Sequence, residues 1–60
     1  MRKEVFLKDL KKQLERRVTV KEAEEAIRYY DELISDRIES NESESRIIAS
    51  LGSVEEIARA

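Results

Sequence analysis

The helix stop and start signals in the second half of the chain constrain its fold more than any other feature. Asn41 follows a long helical pattern and can adopt the left-handed conformation that ends a helix. Gly52, the only glycine, follows a second and much shorter pattern. Ser43 and Ser53 come just after these two stops, where each can cap the start of a new helix. This succession indicates an all-α fold.

Hydrophobic periodicity sets the helix boundaries. It predicts helices over about residues 3–16, 20–39 and 44–50, followed by a further helical start after Gly52, which is expected at the C′ position. Thr19 with Glu22, and Ser53 with Glu56, each fit the capping box. In this motif the hydroxyl oxygen and the carboxylate each accept a hydrogen bond from the other residue's backbone N–H. The sequence therefore predicts a three-helix module, consisting of a long hairpin plus a short third helix, with a fourth helical start.

The apolar faces of these helices predict one shared core. Tyr30 lies near the centre of the second helix's apolar stripe, Tyr29 lies on its flank, and Val5 falls off the stripe of the first helix. Arg37 also falls near the stripe's centre, where an unpaired guanidinium is costly. We therefore expect it to lie beyond the packed region, to extend its charged group to solvent, or to bond the last helix carbonyls. The predicted core consists of Phe6, Leu7, Leu10, Leu14, Ala26, Ile27, Tyr30, Leu33, Ile34, Ile47, Ile48, Leu51 and Ile57.

Composition argues against most kinds of catalytic or metal site. The 60 residues include no cysteine and no histidine, which excludes disulfides, thiolate or imidazole metal sites and the usual nucleophile–base pairs. Adjacent carboxylates such as Glu24 and Glu25 point about 100° apart on a helix and form no catalytic dyad. The segment 31–38 lacks the glycine-centred spacing of a calcium loop. We therefore expect no enzymatic activity, no cofactor, no metal and no small-molecule substrate.

Charge is distributed unevenly along a chain that contains no membrane-spanning run and no secretory signal. Residues 1–21 hold eight basic and three acidic residues, whereas residues 22–60 hold four and eleven. Either the basic first helix docks on the acidic second helix, or it faces anionic lipid or nucleic acid. A helix-turn-helix reader of DNA is a further alternative, because the Leu51–Ser53 turn joins two helical segments. Glu55 and Glu56 at the start of the last helix would repel phosphates, so nucleic acid is not the expected partner.

Four segments together resemble a known family. They are the Glu-Val-Phe-Leu of residues 4–7, the Tyr-Tyr-Asp-Glu of residues 29–32, the Asp-Arg-Ile-Glu of residues 36–39 and the Leu-Gly-Ser-Val-Glu-Glu-Ile-Ala of residues 51–58. In this pattern the chain resembles the HAAS signalling domain, the cytoplasmic N-terminal helical module of a bacterial membrane-protein family. Asn41 stands where the family usually has glycine, Val54 where it has proline, and residues 18–20 replace a Leu-Pro opening. None of these departures conflicts with the expected fold.

The resemblance implies a non-catalytic signalling or protein-interaction module, cytoplasmic and tethered to the membrane by a segment outside this chain. The implied partner is a protein, either a PadR-like transcription regulator or a second copy. Ala60 ends the last helix without a stop signal, as expected for one domain taken from a longer membrane protein. The alternative function is a free-standing helical oligomerisation element. Tyr29 and Arg37 are the candidate interaction residues, since each lies where the hydrophobic face of the second helix meets polar surface.

Overall fold

The chain folds into a helical hairpin to which two short helices are added. The computed structural model describes residues 2–59 and forms four helices there, with no strand: α1 Lys3–Glu15, α2 Val20–Glu39, α3 Glu44–Leu51 and α4 Val54–Arg59. The all-α prediction is confirmed. The first helix ends one residue earlier than predicted and the third ends one residue later. The expectation about Ala60 concerns a residue outside the described range.

The turn between α1 and α2 makes the hairpin antiparallel. The amides of Arg17 and Val18 both donate to the carbonyl of Leu14, which closes α1 tightly. Thr19 then starts α2 through a complete capping box: its Oγ1 accepts from the Glu22 amide at 3.2 Å, and the Glu22 carboxylate accepts from the Thr19 amide at 3.3 Å. This pairing satisfies two amides that the first turn of a helix leaves without intrahelical partners.

The core lies where α1, α2, α3 and α4 meet. Ala23, which periodicity places on the buried stripe of the second helix, is fully buried, and Ala58 is buried although the sequence did not place it in the core. Both are small enough to let helices approach closely. Leu33 was predicted as core, and that prediction is wrong. Leu33 is partly exposed and lies outside the core cluster, because it points about 100° away from its buried neighbour Ile34. The buried cluster comprises Phe6, Leu10, Leu14, Ala23, Ile34, Ile47, Ile48 and Ala58.

The remaining predicted core residues form the edge of this cluster. They are partly exposed and pack against the buried side chains, as does Val54 at the start of α4: Leu7, Ala26, Ile27, Tyr30, Leu51 and Ile57. Val5 is 50% exposed, in agreement with its position off the apolar stripe of α1. The fourth helix packs mainly along α1, and α3 packs on both α2 and α1.

The α2–α3 junction is a Schellman motif. The Asn41 amide donates to the Ile38 carbonyl at 3.0 Å, and the Glu42 amide donates to the Arg37 carbonyl at 3.2 Å. Asn41 has a φ of 66°, which is the left-handed conformation the motif requires. Ser43 occupies the N-cap of α3 but its side chain forms no capping hydrogen bond. Ser43 is therefore the N-cap residue as predicted, but its hydroxyl satisfies no amide of the first turn of α3.

The α3–α4 junction depends on glycine. Gly52 is the C-cap residue of α3, whereas the sequence placed it one position later, at C′. Its backbone angles are φ 94° and ψ −177°. This backbone region is open essentially to glycine alone and differs from the left-handed helical conformation of Asn41. Ser53 and Glu56 then form the second capping box, with 3.1 Å from the Glu56 amide to Ser53 Oγ and 3.5 Å from the Ser53 amide to the Glu56 carboxylate. The turn sends the chain back toward α1.

Candidate interaction surface

Arg37 connects the end of α2 to the residues that follow it by an ion pair and a hydrogen bond, which we call the Arg37 clasp. Its Nε and Nη2 donate to the Glu42 carboxylate, the shortest distance being 2.8 Å, and its Nη1 donates to Ser50 Oγ at 3.2 Å. These hydrogen bonds lower the pKa of Glu42 and raise that of Arg37. The guanidinium is thus occupied within the chain. Its hydrogen-bond partners are the side chains of Glu42 and Ser50, and none of them is a helix carbonyl. The guanidinium is therefore not free to bind a partner protein.

A second clasp fastens the start of α1. Lys3 Nζ lies 2.9 Å from Asp31 Oδ1 and 3.2 Å from Ser35 Oγ, and the Lys3 backbone amide donates to the Glu44 carboxylate at 3.2 Å. The hydrogen bond to Asp31 is the main reason that the pKa of Lys3 is raised. Glu44 gives a free amide of the first turn of α1 an acceptor from another helix. The start of α1 is thereby tied to both α2 and α3.

Tyr29 ends a chain of aromatic rings that runs from the core to the surface. The buried Phe6 ring meets Tyr30 edge to face, with centroids 6.4 Å apart, and Tyr30 meets Tyr29 in the same way at 5.0 Å. Edge-to-face pairs of this kind are favourable beyond the area they bury. Tyr29 itself remains 61% exposed. Contact with Tyr30 therefore orients the Tyr29 ring, while most of the residue's surface stays accessible.

Tyr29 lies within a continuous stretch of α2 surface, which we call the outer face. At 100° per residue its members fall within an arc of about 120°. Tyr29 and Leu33 are one helical turn apart and neighbour each other, with Ala26 beside them. The outer face also carries four exposed carboxylates and no basic residue; it comprises Glu22, Glu25, Ala26, Tyr29, Glu32, Leu33 and Asp36.

An open groove of about 640 Å³ lies between α3 and α4. Its floor is formed by Phe6 and Ile48, and Ala49 and Val54 line its walls. Phe6 and Ile48 are at most 5% exposed, so the accessible surface of the groove comes mainly from its walls. Gly52, in the turn between the two helices, also lines it.

Charges on α1 remain largely separate from those on α2. Within residues 2–59 the ion pairs are Lys3 with Asp31 and Arg37 with Glu42. Only Lys3 therefore links the basic first helix to the acidic second helix by an ion pair. Lys8, Lys11 and Lys12 are exposed and lie beyond ion-pairing distance of any described carboxylate. The docking of α1 on α2 rests on apolar contacts.

No group of three or more acidic side chains in residues 2–59 is placed to hold a metal ion. None of the helices formed by these residues combines the length and the apolar character needed to cross a bilayer.

Comparison with known families identifies the family of nearly the whole chain. The family model of HAAS matches residues 6–60, which is nearly the full length. The chain belongs to the HAAS family. No curated protein and no solved structure shows a significant match to this HAAS domain.

Sequence reasoning found Tyr29 but missed most of the surface around it. Leu33 was assigned to the core, Glu22 was assigned only to the capping box, and Glu25 was considered only as one of two adjacent carboxylates. The signal that could have revealed the outer face was the position of Leu33 at the edge of the apolar stripe, with Tyr29 beyond it. The Lys3 clasp joins residues on three different helices, so no local pattern pointed to it. Arg37 reaches Glu42 only five residues further on, but across the α2–α3 turn, whose geometry the periodicity does not give.

Proposed function

We propose that this HAAS domain is a non-catalytic protein-interaction module that serves as the cytoplasmic signalling head of a bacterial membrane protein. The observation that carries the proposal is the exposed aromatic and aliphatic surface of α2. Tyr29 is 61% exposed yet held by Tyr30, and Leu33 next to it stays outside the core. Exposed aromatic side chains on a rigid element are typical anchors of protein interfaces.

Rigidity supports the same proposal. The outer face belongs to a helix of 20 residues that is capped at its start by Thr19 and closed at its end by the Schellman motif. The Lys3 and Arg37 clasps fix neighbouring segments against this helix. A surface held in this way loses little conformational entropy when a partner binds.

Membership of the HAAS family supports the cytoplasmic and membrane-tethered part of the proposal. The tether would be a segment outside this chain, and the partner would be a protein such as a PadR-like regulator. DNA reading by α4 is disfavoured because Glu55 and Glu56 occupy its exposed first turn. Self-association through the outer face is disfavoured because it would bring the carboxylates of two copies together.

Photocrosslinking in cells tests this function. A photoreactive amino acid replaces Tyr29 in the native full-length protein, and Ile38, which is 38% exposed on the opposite side of α2, serves as the matched control position. We expect position 29, and not position 38, to give a discrete adduct with another protein in the membrane fraction. Equal labelling at both positions would contradict the proposal. An adduct of two identical chains would support the oligomerisation alternative instead.

A further inference from the structure

The electrostatic setting of the outer face specifies the chemistry of its partner. Glu25 and Glu32 lie on one side of Tyr29, and Glu22 and Asp36 lie near the two ends of the stripe. None of these carboxylates forms an ion pair within residues 2–59. Lys21 and Arg28 border the face on the side of Glu25. Arg37 borders it near Leu33, and its charge is paired with that of Glu42. The outer face itself carries only apolar side chains and acidic charge.

We propose that the outer face of α2 binds a helix of a partner protein that carries aliphatic side chains flanked by lysine or arginine residues. This inference rests on the proposed function and names the chemistry of the partner. Aliphatic side chains would cover Tyr29 and Leu33, while the flanking cations would approach the four carboxylates. Complementary charge of this kind steers association and fixes orientation.

The shape of the surface favours a helix as the bound element. From Ala26 to Leu33 the apolar stripe runs along the helix axis for about 10 Å, or two turns. A second helix can lay its own stripe along this length by ridges-into-grooves packing, with its backbone hydrogen bonds already satisfied internally. The convex face offers no strand edge, so an extended peptide would find no backbone partner there.

A second copy of this chain fits the surface poorly. Pairing the outer face with itself by twofold symmetry would place eight carboxylates around one small interface. The α1 surface of another copy carries lysines but lacks an aliphatic stripe, because Phe6, Leu10 and Leu14 are buried in its own core. Charge disfavours the first arrangement and burial disfavours the second, so both favour a different protein over self-association.

The test uses the 60-residue chain and two synthetic helical peptides. Both peptides carry the same leucine stripe, flanked by lysines in one and by glutamates in the other. Nuclear magnetic resonance titration at low salt follows each backbone amide. We expect the lysine peptide to shift amides centred on Tyr29 and Leu33, and the glutamate peptide to bind at least about tenfold more weakly.

Matched variants distinguish binding at the outer face from attraction by the overall negative charge of the protein. Glu25→Lys lies on the outer face, whereas Glu24→Lys makes the same charge change on an exposed neighbour that points about 100° away. We expect Glu25→Lys to weaken binding of the lysine peptide about threefold to tenfold more than Glu24→Lys does. Tyr29→Ala should weaken it about tenfold, and Ile38→Ala should leave it unchanged. Circular dichroism verifies that each variant is folded.

Four results would overturn the inference. Shifts centred on Ala49 and Val54 would place the peptide in the groove between α3 and α4. Equal effects of Glu24→Lys and Glu25→Lys would show that only net charge matters, and preferred binding of the glutamate peptide would reverse the assigned chemistry. A crosslinked partner in cells that lacks a basic helix would refute this inference while leaving the proposed function intact.

Discussion

Replacing Gly52 by alanine tests how the α3–α4 turn is held. The residue has φ 94° and ψ −177°, and a Cβ built there meets nothing within 4 Å. The substitution therefore creates no steric clash with the rest of the protein, and its cost comes from the backbone conformation alone. A non-glycine residue in this region costs on the order of 1–3 kcal/mol.

The net effect is smaller than this cost because alanine also restricts the unfolded chain. That restriction stabilises the folded state by roughly 0.4–1 kcal/mol relative to glycine. A net destabilisation of about 1–2 kcal/mol remains, which is a large share of the roughly 3–9 kcal/mol expected for a domain of this size. Since each kcal/mol lowers the Tm of so small a domain by about 4–8 °C, the expected decrease in Tm is about 5–15 °C.

Thermal unfolding followed by circular dichroism at 222 nm measures this decrease. Asn41→Gly is the control, because it relieves a positive φ of 66° at the other junction and should leave the Tm equal or higher. An unchanged Tm for Gly52→Ala would refute the reasoning. If the helical signal also rose, α3 and α4 would have joined into one continuous helix, and the turn would not depend on glycine.

Three other perturbations have expected outcomes. Ile34→Ala removes a fully buried side chain and should cost about 2–5 kcal/mol, whereas Leu33→Ala should cost less than about 1.5 kcal/mol; urea unfolding of both variants compares them. The pKa of Glu42 is lowered from 4.5 by the Arg37 hydrogen bond, so the clasp stabilises the fold above about pH 4.5 and this contribution is lost as pH falls through the lowered pKa. The Tm difference between the native chain and Glu42→Gln should therefore shrink on acidification, and a constant difference would argue against the clasp. Thr19→Ala breaks the capping box of α2 and should cost about 0.5–2 kcal/mol in the same urea assay, with no loss indicating that the box contributes nothing.

Local signals in the sequence were sufficient for the secondary structure. Capping residues such as Thr19 and Ser53 act on backbone amides within three residues, so their effect can be read without knowing the fold. The left-handed tendency of Asn41 and the freedom of Gly52 are equally local. For this reason the helix boundaries differ from the predicted ones by one residue at most where the two can be compared.

Burial could be predicted only in part, because periodicity gives the direction of a side chain and not what covers it. Phe6, Leu10 and Ile34 are buried as expected from the centres of their stripes. Leu33 lies at the edge of its stripe, and whether an edge is covered depends on where the neighbouring helices lie. The candidate site was likewise predicted only in part. Periodicity placed Tyr29 at the flank of the apolar stripe, but it did not show how far the outer face extends.

Short-range patterns were enough to predict that this chain is all-α and where its helices begin and end, because capping and helical periodicity act between residues close together in the chain. Short segments such as residues 51–58 were likewise enough to indicate the family. The contacts of Lys3 with α2 and α3, and the exposure of part of α2, could be known only from the folded protein, because they depend on how separate helices pack together. Ala23 and Ala58 help set that packing by allowing close approach.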